Sequence, residues 1–490
     1  MKLYDSLTRQ LRDFAPGSPP RVTVYGCGPT VYDLAHIGNF RTFVAYDLLH
    51  RHLRWRGFEV DFVVNLTDVD DKTIQGAAAA GLPLGEYTEP FAEAFLEDAA
   101  ALGFLPFASH PRATAYIPEM VRLVEGLERG GHAYRGGDGS IYYGVSSFSG
   151  YGRLSGKGGT ESEGRSRIDG ESLGKRDPRD FALWKLAGPD DEAVGAAWES
   201  PWGRGRPGWH LECSAMARSL LGGTVDIHMG GEDLLFPHHE NEIAQSEAAT
   251  GRPLAHFWVH VRHLKVDRRK MSKSEGNFHT VRELVEEGHD PAAVRWALLG
   301  AHYRSELNFT RAGLDEAAAA LQRLLDFRRR VQELAVAEGA EGELADRSAE
   351  LLEDFGRAMD DDLNVPRALA ALWTLVREGN TRLDQEPTIG PGDRTALLAA
   401  LAGMDGVLGV VELAAATRES AGAGEARIQR LVEERDRARA ARDFALADRI
   451  RDELATEGIR LDDTASGTRW RRVRATAGHR PPQDGPKPVE

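Results

Sequence analysis

Apolar and polar positions divide the first part of the chain into alternating strand and helix patterns. Arg21–Tyr25 (RVTVY) alternates with period two and is rich in β-branched residues, which is typical of a strand. From Gly38 apolar residues recur at helical spacing until Gly57 ends the pattern. A second strand pattern (59–70) and a second helical pattern (90–104) repeat this order. Strands that alternate with helices predict parallel βαβ units.

A tract rich in glycine, serine and charged residues interrupts this order. Within residues 116–206 a helical start gives way to residues 149–180, which have too few apolar residues for a core of their own. Strand and helix patterns then resume. We therefore predict an α/β fold, with a Rossmann-like parallel-sheet domain at residues 1–115 and 207–262. A connective insertion with mobile loops, residues 116–206, splits this domain.

The rest of the chain is predicted to be mainly helical. Residues 263–313 follow the sheet, and residues 314–419 carry Ala, Leu and Arg at helical spacing, which predicts an all-α helical bundle. Ser420–Gly424 is typical of a linker. Residues 425–475 predict a small C-terminal domain that begins with a charged helix pair. We expect residues 476–490 to be a disordered tail.

Composition and charge narrow the class of protein. The 490 residues allow roughly two to four domains, and a formal net charge of −15 argues against a protein that coats nucleic acid. Between Ala426 and Glu490, however, 15 Lys and Arg outnumber 12 Asp and Glu. The N-terminus lacks the apolar core of a signal peptide and no apolar run is long enough to span a membrane, so we expect a cytoplasmic protein.

The turn between the first predicted strand and helix is suited to binding an anion. His36 and Asn39 lie where this helix begins. Unpaired backbone N–H groups and the positive end of the helix dipole point outward at such a place, which favours phosphate. Taken alone, an ordinary tight turn explains the same residues equally well.

Lys270–Ser274 (KMSKS) places two ammonium groups and two hydroxyls on a predicted loop. These groups would suit a phosphate. By itself the segment also fits a solvated surface loop.

The two cysteines and a histidine-rich helix start offer a set of zinc donors. Pro237 suits the first turn of a helix, which puts His238 and Glu242 one turn apart on one face. Zinc accepts sulfur, imidazole nitrogen and carboxylate oxygen, and a reducing cytosol disfavours a disulfide. The candidate ligands are Cys27, Cys213, His238 and Glu242. His239 is a rival ligand, and Glu242 could instead act from outside the ligand set. The alternative without a metal is that each cysteine is a small buried hydrophobic residue and that the HHENE helix is a solvated face.

The pair HIGN (36–39) and KMSKS (270–274), in this order, resembles the two signature motifs of class I aminoacyl-tRNA synthetases. With the two cysteines and HHENE (238–242) added, the chain from Tyr4 to about Arg472 resembles the cysteinyl-tRNA synthetase family. The resemblance implies a monomeric ligase that activates L-cysteine with ATP and Mg²⁺ and passes the cysteine to tRNA(Cys). It also implies one Zn²⁺ per subunit, which would bind the substrate thiolate and so reject serine.

The resemblance implies these catalytic residues: His36, Asn39, Lys270 and Lys273. Three of them would bind ATP: His36, Asn39 and Lys273. Asn39 stands where the class usually has a second histidine, and an amide donates a hydrogen bond but carries no positive charge.

Around the amino acid, the resemblance implies a pocket bordered by Thr67, Trp209 and Asp233, with Asp233 paired to the ammonium group. The alternative is that Thr67 and the adjacent Asp68 cap the next helix and that Trp209 is a core residue.

On the tRNA side, the resemblance implies that residues 263–313, which carry KMSKS, form a stem-contact region. It also implies that the helical bundle and the C-terminal domain grip the tRNA, and that the C-terminal domain binds the GCA anticodon. Its candidate residues are Arg439, Asp448 and Asp463, with Trp470 as an exposed aromatic. A surface-charged helical hairpin is the alternative.

Two other functions are compatible with parts of the pattern. A cysteine ligase that acts on an aminosugar would share the adenylating core and zinc but end early, whereas residues 426–470 favour tRNA. A noncatalytic RNA-binding or zinc-stabilised structural relative would not be expected to keep HIGN, KMSKS and all four zinc candidates.

Overall fold

The computed structural model describes residues 1–157, 174–271, 276–336, 343–385, 388–457, 459–464 and 467–472. Lys273 and the predicted tail at residues 476–490 lie outside these ranges. The chain divides into two compact units, one formed by residues 1–285 and 289–413 and the other by residues 286–288 and 414–490.

The first unit begins with the predicted βαβ order. Its first elements are β1 (Lys2–Asp5), β2 (Gln10–Asp13), β3 (Arg21–Gly26), α1 (Ile37–Trp55), β4 (Glu59–Val64), α2 (Asp71–Ala80) and α3 (Leu84–Ala101). β3 pairs in parallel with β4, with Val24 opposite Phe62. Tyr46 of α1 packs on Phe62, with ring centroids 5.6 Å apart. Helix α1 therefore covers one face of the sheet.

The insertion contains a sheet that the sequence pattern did not predict. Its elements are α4 (Ile117–Arg129), β5 (Ala133–Arg135), β6 (Ile141–Tyr143), β7 (Phe181–Leu186), α5 (Pro189–Ala193) and β8 (Gly205–Pro207). The strands pair antiparallel in the order β5-β6-β7-β8. Three of the four have only three residues, too few to show a period of two. Tyr143 and Trp184 join the same buried cluster as Ile243, so the insertion shares the core of its neighbours.

The parallel sheet resumes after the insertion. The elements here are α6 (Trp209–Leu221), β9 (Val225–Gly231), α7 (Glu240–Thr250), β10 (Ala255–Val261), β11 (Leu264–Val266), β12 (Arg269–Lys270), α8 (Val281–Glu286), α9 (Pro291–Leu299) and β13 (Leu307–Phe309). The sheet order is β10-β9-β3-β4, and every neighbouring pair is parallel. The predicted α/β fold is thereby confirmed.

Helices dominate the remainder of the first unit, as predicted. They and two short strands are α10 (Arg311–Glu333), β14 (Ala335–Val336), α11 (Glu343–Asp360), α12 (Val365–Gln385), β15 (Thr388–Ile389), α13 (Pro391–Leu408) and the first residues of α14 (Val411–Ala440). In the described part of the chain no single helix is long and apolar enough to cross a membrane, although the bent pair α13 and α14 together meets that length and composition.

The second unit contains most of α14, followed by α15 (Phe444–Thr456) and the hairpin β16 (Ile459–Thr464) and β17 (Gly467–Arg472). The predicted helix pair is present, but the linker predicted at Ser420–Gly424 is wrong because α14 continues through it. Once a helix is nucleated on both sides, each further residue adds a hydrogen bond, which outweighs the low propensity of two glycines. Trp470 was also wrongly expected to be exposed, since it packs against the core around Ile450 and Leu454.

Candidate active site

The carboxyl ends of the central strands bring the candidate residues together, as expected for an open parallel sheet. Cys27 directly follows β3, and its backbone N–H donates to the carbonyl of Met229 at the end of β9, 3.0 Å away. The hydroxyl of Tyr46 donates to the carbonyl of Cys27 at 3.0 Å. Two neighbouring elements thus hold the backbone that carries this thiol.

Helix α6, helix α7 and the turn before α7 supply the other three zinc candidates. Cys213 lies on α6, His238 lies in the turn before α7, and Glu242 lies in the first turn of α7. One ligand atom from each of these residues and from Cys27 lies within 4.8 Å of all the others, and all four side chains are buried. The four candidates, which are far apart in sequence, therefore converge at one point.

The separations between these atoms fit a zinc ion. Tetrahedral zinc with Zn–S bonds of about 2.3 Å holds two sulfurs about 3.8 Å apart, and holds a sulfur and a carboxylate oxygen about 3.6 Å apart. The Sγ atoms of Cys27 and Cys213 are 3.7 Å apart. Cys27 Sγ is 3.5 Å from Glu242 Oε1. Two thiols, an imidazole and a carboxylate are also the donors that zinc prefers.

The carboxylate of Glu242 is oriented toward the ligand group. Its Oε1 lies 3.0 Å from His238 Nε2, and its Oε2 lies 2.9 Å from Nε2 of His228. His228, a residue that sequence reasoning missed, stacks on Trp258 with ring centroids 4.5 Å apart. One oxygen is therefore directed to the site while the other is anchored. The only sequence signal for His228 is a polar residue inside the apolar strand β9.

The ring of His238 is held by a second histidine that was not predicted. His210 Nδ1 is 2.9 Å from His238 Nδ1. If His238 donates this hydrogen bond, its Nε2 is left unprotonated and can bind a metal, which is the usual arrangement for a ligating histidine.

His239, the rival ligand, is also buried close to the group. Its Nε2 is 3.3 Å from Cys27 Sγ, and its Nδ1 is 2.8 Å from His260 Nε2. A second set of four donors therefore exists: Cys27, His228, His239 and Glu242. This set has one thiol, whereas the predicted set has both, and thiolate sulfur is a preferred donor for zinc.

Charge in the group favours a thiolate at Cys213. The hydrogen bond from Cys27 is the main cause that lowers the pKa of Cys213 to about 6, against the effect of burial. Burial, together with the hydrogen bond to Cys213, raises the pKa of Cys27 well above its usual value. Without a metal, Cys27 therefore keeps its proton at neutral pH, and Cys213 is the thiolate of the pair.

The imidazole and carboxylate also stabilise each other's charge. Burial alone would lower the pKa of His238, but the Glu242 carboxylate and the Cys213 sulfur raise it to about 10. Burial would raise the pKa of Glu242, yet His228 and His238 hold it well below its usual value. A metal that binds here must displace the proton of His238.

The predicted pocket residues differ in their exposure and in what they contact. The ring of Trp209 lies 4.3 Å from that of His238. Thr67 is 2% exposed, and its hydroxyl accepts a hydrogen bond from Asn65 Nδ2 at 3.2 Å. Asp233 is exposed on the short turn after β9. Trp209 is thus the pocket candidate that directly borders the ligands.

The suggestion that Thr67 and Asp68 cap the next helix is not supported. Asp70 caps α2, accepting from the N–H of Lys72 at 2.8 Å. Asp68 instead accepts from the N–H and the hydroxyl of Thr114, at 2.9 and 2.6 Å.

At the phosphate end, His36 and Asn39 form a capping box at the start of α1. His36 Nδ1 accepts from the N–H of Asn39, and Asn39 Oδ1 accepts from the N–H of His36, both at 3.1 Å. Because Nδ1 accepts, the ring proton is assigned to Nε2, which is a donor. The structure therefore gives Asn39 a role that needs no positive charge.

The chain after KMSKS lies against this cap. The N–H of Ile37 donates to the carbonyl of His279 at 2.9 Å, and the rings of His36 and Phe278 meet edge to face at 5.1 Å. A Cβ atom added to Gly38 would lie 2.8 Å from Met271 Cε. The two predicted motifs are therefore adjacent. Lys270 is exposed in β12, and Lys273 lies outside the described residues.

In the second unit the anticodon candidates lie on three elements. Arg439 is near the end of α14, Asp448 is on α15, and Asp463 is in β16 opposite Thr468. Asp448 forms an ion pair with Arg451 at 3.1 Å. The large exposed aromatic of this unit is Phe444, which is 61% exposed at the start of α15.

Two family models match the chain. Residues 13–319 match the model "tRNA synthetases class I (C) catalytic domain", and residues 354–412 match the DALR domain. The first match contains all four zinc candidates and both phosphate motifs, and the second lies within the helical bundle.

Curated relatives match over almost their whole length. A cysteine–tRNA ligase from Alkalilimnicola ehrlichii is 47% identical over 96% of this chain and 100% of its own. One from Symbiobacterium thermophilum is 45% identical, with the same coverage of each chain. Among solved structures, Mycobacterium tuberculosis methionyl-tRNA synthetase in complex with methionyl-adenylate has a TM-score of 0.57 at 16% identity, covering 80% of this chain and 90% of that one. This last similarity concerns the fold.

Proposed function

Because this chain belongs to the cysteine–tRNA ligase family of class I aminoacyl-tRNA synthetases, we propose that it joins cysteine to tRNA(Cys) and selects cysteine through a zinc ion. The ligands of this zinc are Cys27, Cys213, His238 and Glu242. The convergence of these four buried donors within 4.8 Å is the observation that carries the proposal.

Selection of the amino acid follows from the chemistry of the donor set. When bound, zinc supplies a site that takes a thiolate and deprotonates a thiol, which neither serine nor alanine offers. His210 and His228 orient His238 and Glu242 around it. Trp209 closes the side of the pocket next to His238, and Asp233 pairs with the ammonium group of the amino acid. A site that demands a specific bond discriminates by roughly 10⁴ or better, against roughly 10 to 200-fold for a pocket that reads shape alone.

Adenylate formation takes place at the phosphate end. The cysteine carboxylate attacks the α-phosphate of ATP, which Mg²⁺ accompanies, and pyrophosphate leaves. Charge develops on the phosphate oxygens, so positioned donors stabilise the transition state. His36 Nε2–H donates to them, while Lys270 and Lys273 bring positive charge from the KMSKS segment. Asn39 maintains the cap that aims His36.

Transfer of cysteine to the terminal ribose of tRNA is the second step. The second unit reads the anticodon through Arg439, Asp448 and Asp463. Support comes from its locally basic sequence and from relatives that match over their full length. A monomeric state and a cytoplasmic location remain predictions.

The test measures cysteine-dependent ATP–pyrophosphate exchange and then charging of tRNA(Cys), alongside zinc content. We expect one zinc per chain, exchange with cysteine but not serine, and charged tRNA. Exchange without charging would favour ligation to an aminosugar, and neither activity would favour a structural role. Cys27→Ser and Cys213→Ser variants, with their metal content measured, test the zinc assignment.

A further inference from the structure

The helix that carries the metal candidates has a second side, which faces the insertion. Residues three and four apart on a helix share a side, so Glu240, Ala244 and Glu247 lie on the side of α7 opposite Glu242 and the preceding His238. The hydroxyl of Tyr143 in β6 donates to the carbonyl of Ala244 at 3.0 Å. The side of α7 away from the site is thus in contact with the insertion.

A short segment of the insertion, residues 150–157, binds the N-terminal turn of α7. The backbone N–H of Gly152 donates to Glu240 Oε1 at 2.8 Å, and that of Ser155 donates to Glu240 Oε2 at 2.9 Å. The hydroxyl of Tyr151 donates to Asn241 Oδ1. Both oxygens of one carboxylate therefore hold one stretch of backbone.

Burial makes this contact specific. Glu240 is 0% exposed, and a buried carboxylate is tolerated only where donors replace its water. Two further contacts of residues 150–157 lie on either side of the contact with Glu240. Arg153 forms an ion pair with Glu247, and Lys157 Nζ lies 5.2 Å from the ring centre of Phe236, which precedes the ligand turn. The segment thus contacts α7 and the turn before it from Phe236 to Glu247.

We propose that Glu240 is a positioning residue, which fastens residues 150–157 to α7 and thereby fixes the direction of His238 and Glu242. The inference rests on the proposed function of those two side chains at the amino-acid site. It gives the glycine-rich insertion a part in cysteine recognition, since the insertion supports the ligand helix from behind. Glu240 touches neither substrate nor metal.

The test compares Glu240→Ala and Glu240→Gln with a matched control, Glu247→Gln, in the full chain. The control removes the ion pair with Arg153 on the same side of the same helix, at a more exposed position. Zinc affinity is measured by competition with a chromophoric chelator, and KM is measured for cysteine and for ATP by pyrophosphate exchange. Amide hydrogen exchange at Gly152 and Ser155 reports whether the contact is released, and circular dichroism reports folding.

We expect Glu240→Ala to weaken zinc binding about 10 to 100-fold, the range seen when a group behind a ligand is removed, and to raise KM for cysteine but not for ATP. Gln keeps one acceptor oxygen but turns an NH₂ toward a backbone N–H, so its effect is intermediate. Faster exchange at Gly152 and Ser155 accompanies both changes, and Glu247→Gln changes each quantity less than twofold.

A folded Glu240→Ala variant with unchanged zinc affinity and unchanged KM for cysteine overturns the proposal. Equal rises in KM for cysteine and ATP also overturn it, because they indicate general destabilisation. If the wild-type chain binds no zinc, the proposed metal function fails, and the KM split alone then decides whether Glu240 positions the amino-acid site.

Discussion

The two ends of the active site achieve recognition in different ways. At the amino-acid end, four donors from the end of β3, from α6 and from the start of α7 are buried, and His210 and His228 orient two of them, His238 and Glu242. At the phosphate end, His36 is held by a local cap, and Lys270 is exposed. A buried, preorganised donor set suits selection of one functional group, whereas exposed cations suit a phosphate chain that all substrates of the class share.

The largest expected effect is loss of a thiol at the amino-acid end. Replacing Cys213 by Ser removes the thiolate whose pKa is lowered to about 6, so zinc is lost. We expect kcat/KM for cysteine to fall roughly 10³ to 10⁴-fold, with discrimination against serine falling by a similar factor. Pyrophosphate exchange and metal content measure this. A variant that is metal-free and still prefers cysteine as strongly as the wild type would contradict the account.

The next largest expected effect is confined to the phosphate end of the site. His36→Asn keeps a residue that caps helices well but removes the Nε2–H donor, so kcat for exchange should fall about 10² to 10³-fold. Zinc content and KM for cysteine should not change, because the cap and the metal site are intact. If zinc were lost in this variant, the two ends would not be independent.

The affinity for zinc should rise with pH, because two of the ligands carry protons in the metal-free chain. The pKa of His238 is raised to about 10 and that of Cys27 is raised well above its usual value, so both carry protons at neutral pH. Zinc must displace one proton from each, and its affinity should therefore rise about 100-fold per pH unit between pH 6.5 and 8. Below about pH 6 the Cys213 thiolate is also protonated and the slope steepens. Chelator competition at several pH values checks this, and a flat profile would exclude these protonation states.

The smallest expected effect tests which of the two sets of four donors binds zinc, the set with His238 or the set with His228 and His239. His228→Ala removes the anchor of Glu242 Oε2, so zinc affinity should fall about 10 to 100-fold. His238→Ala removes a ligand and should weaken binding further. The reverse order, measured by the same chelator competition, would assign the metal to the set that contains His228 and His239.

The difference between local patterns and contacts distant in sequence explains which features could be predicted from the sequence. The parallel sheet, HIGN and HHENE were recognisable because each is a local pattern of period or spacing. His210, His228 and Glu240 were not, because their roles arise from residues 14 to 88 positions away. Three features depend on tertiary packing, which overrides local composition: the short strands of the insertion, the continuous helix through Ser420–Gly424 and the partly buried Trp470.

Elemental analysis of the purified chain, combined with exchange assays on cysteine and serine, tests the central claim most directly. The account predicts one zinc per chain and strong rejection of serine, both lost together when the metal is stripped and both restored by zinc. A metal-free enzyme that activates cysteine and still rejects serine would contradict it.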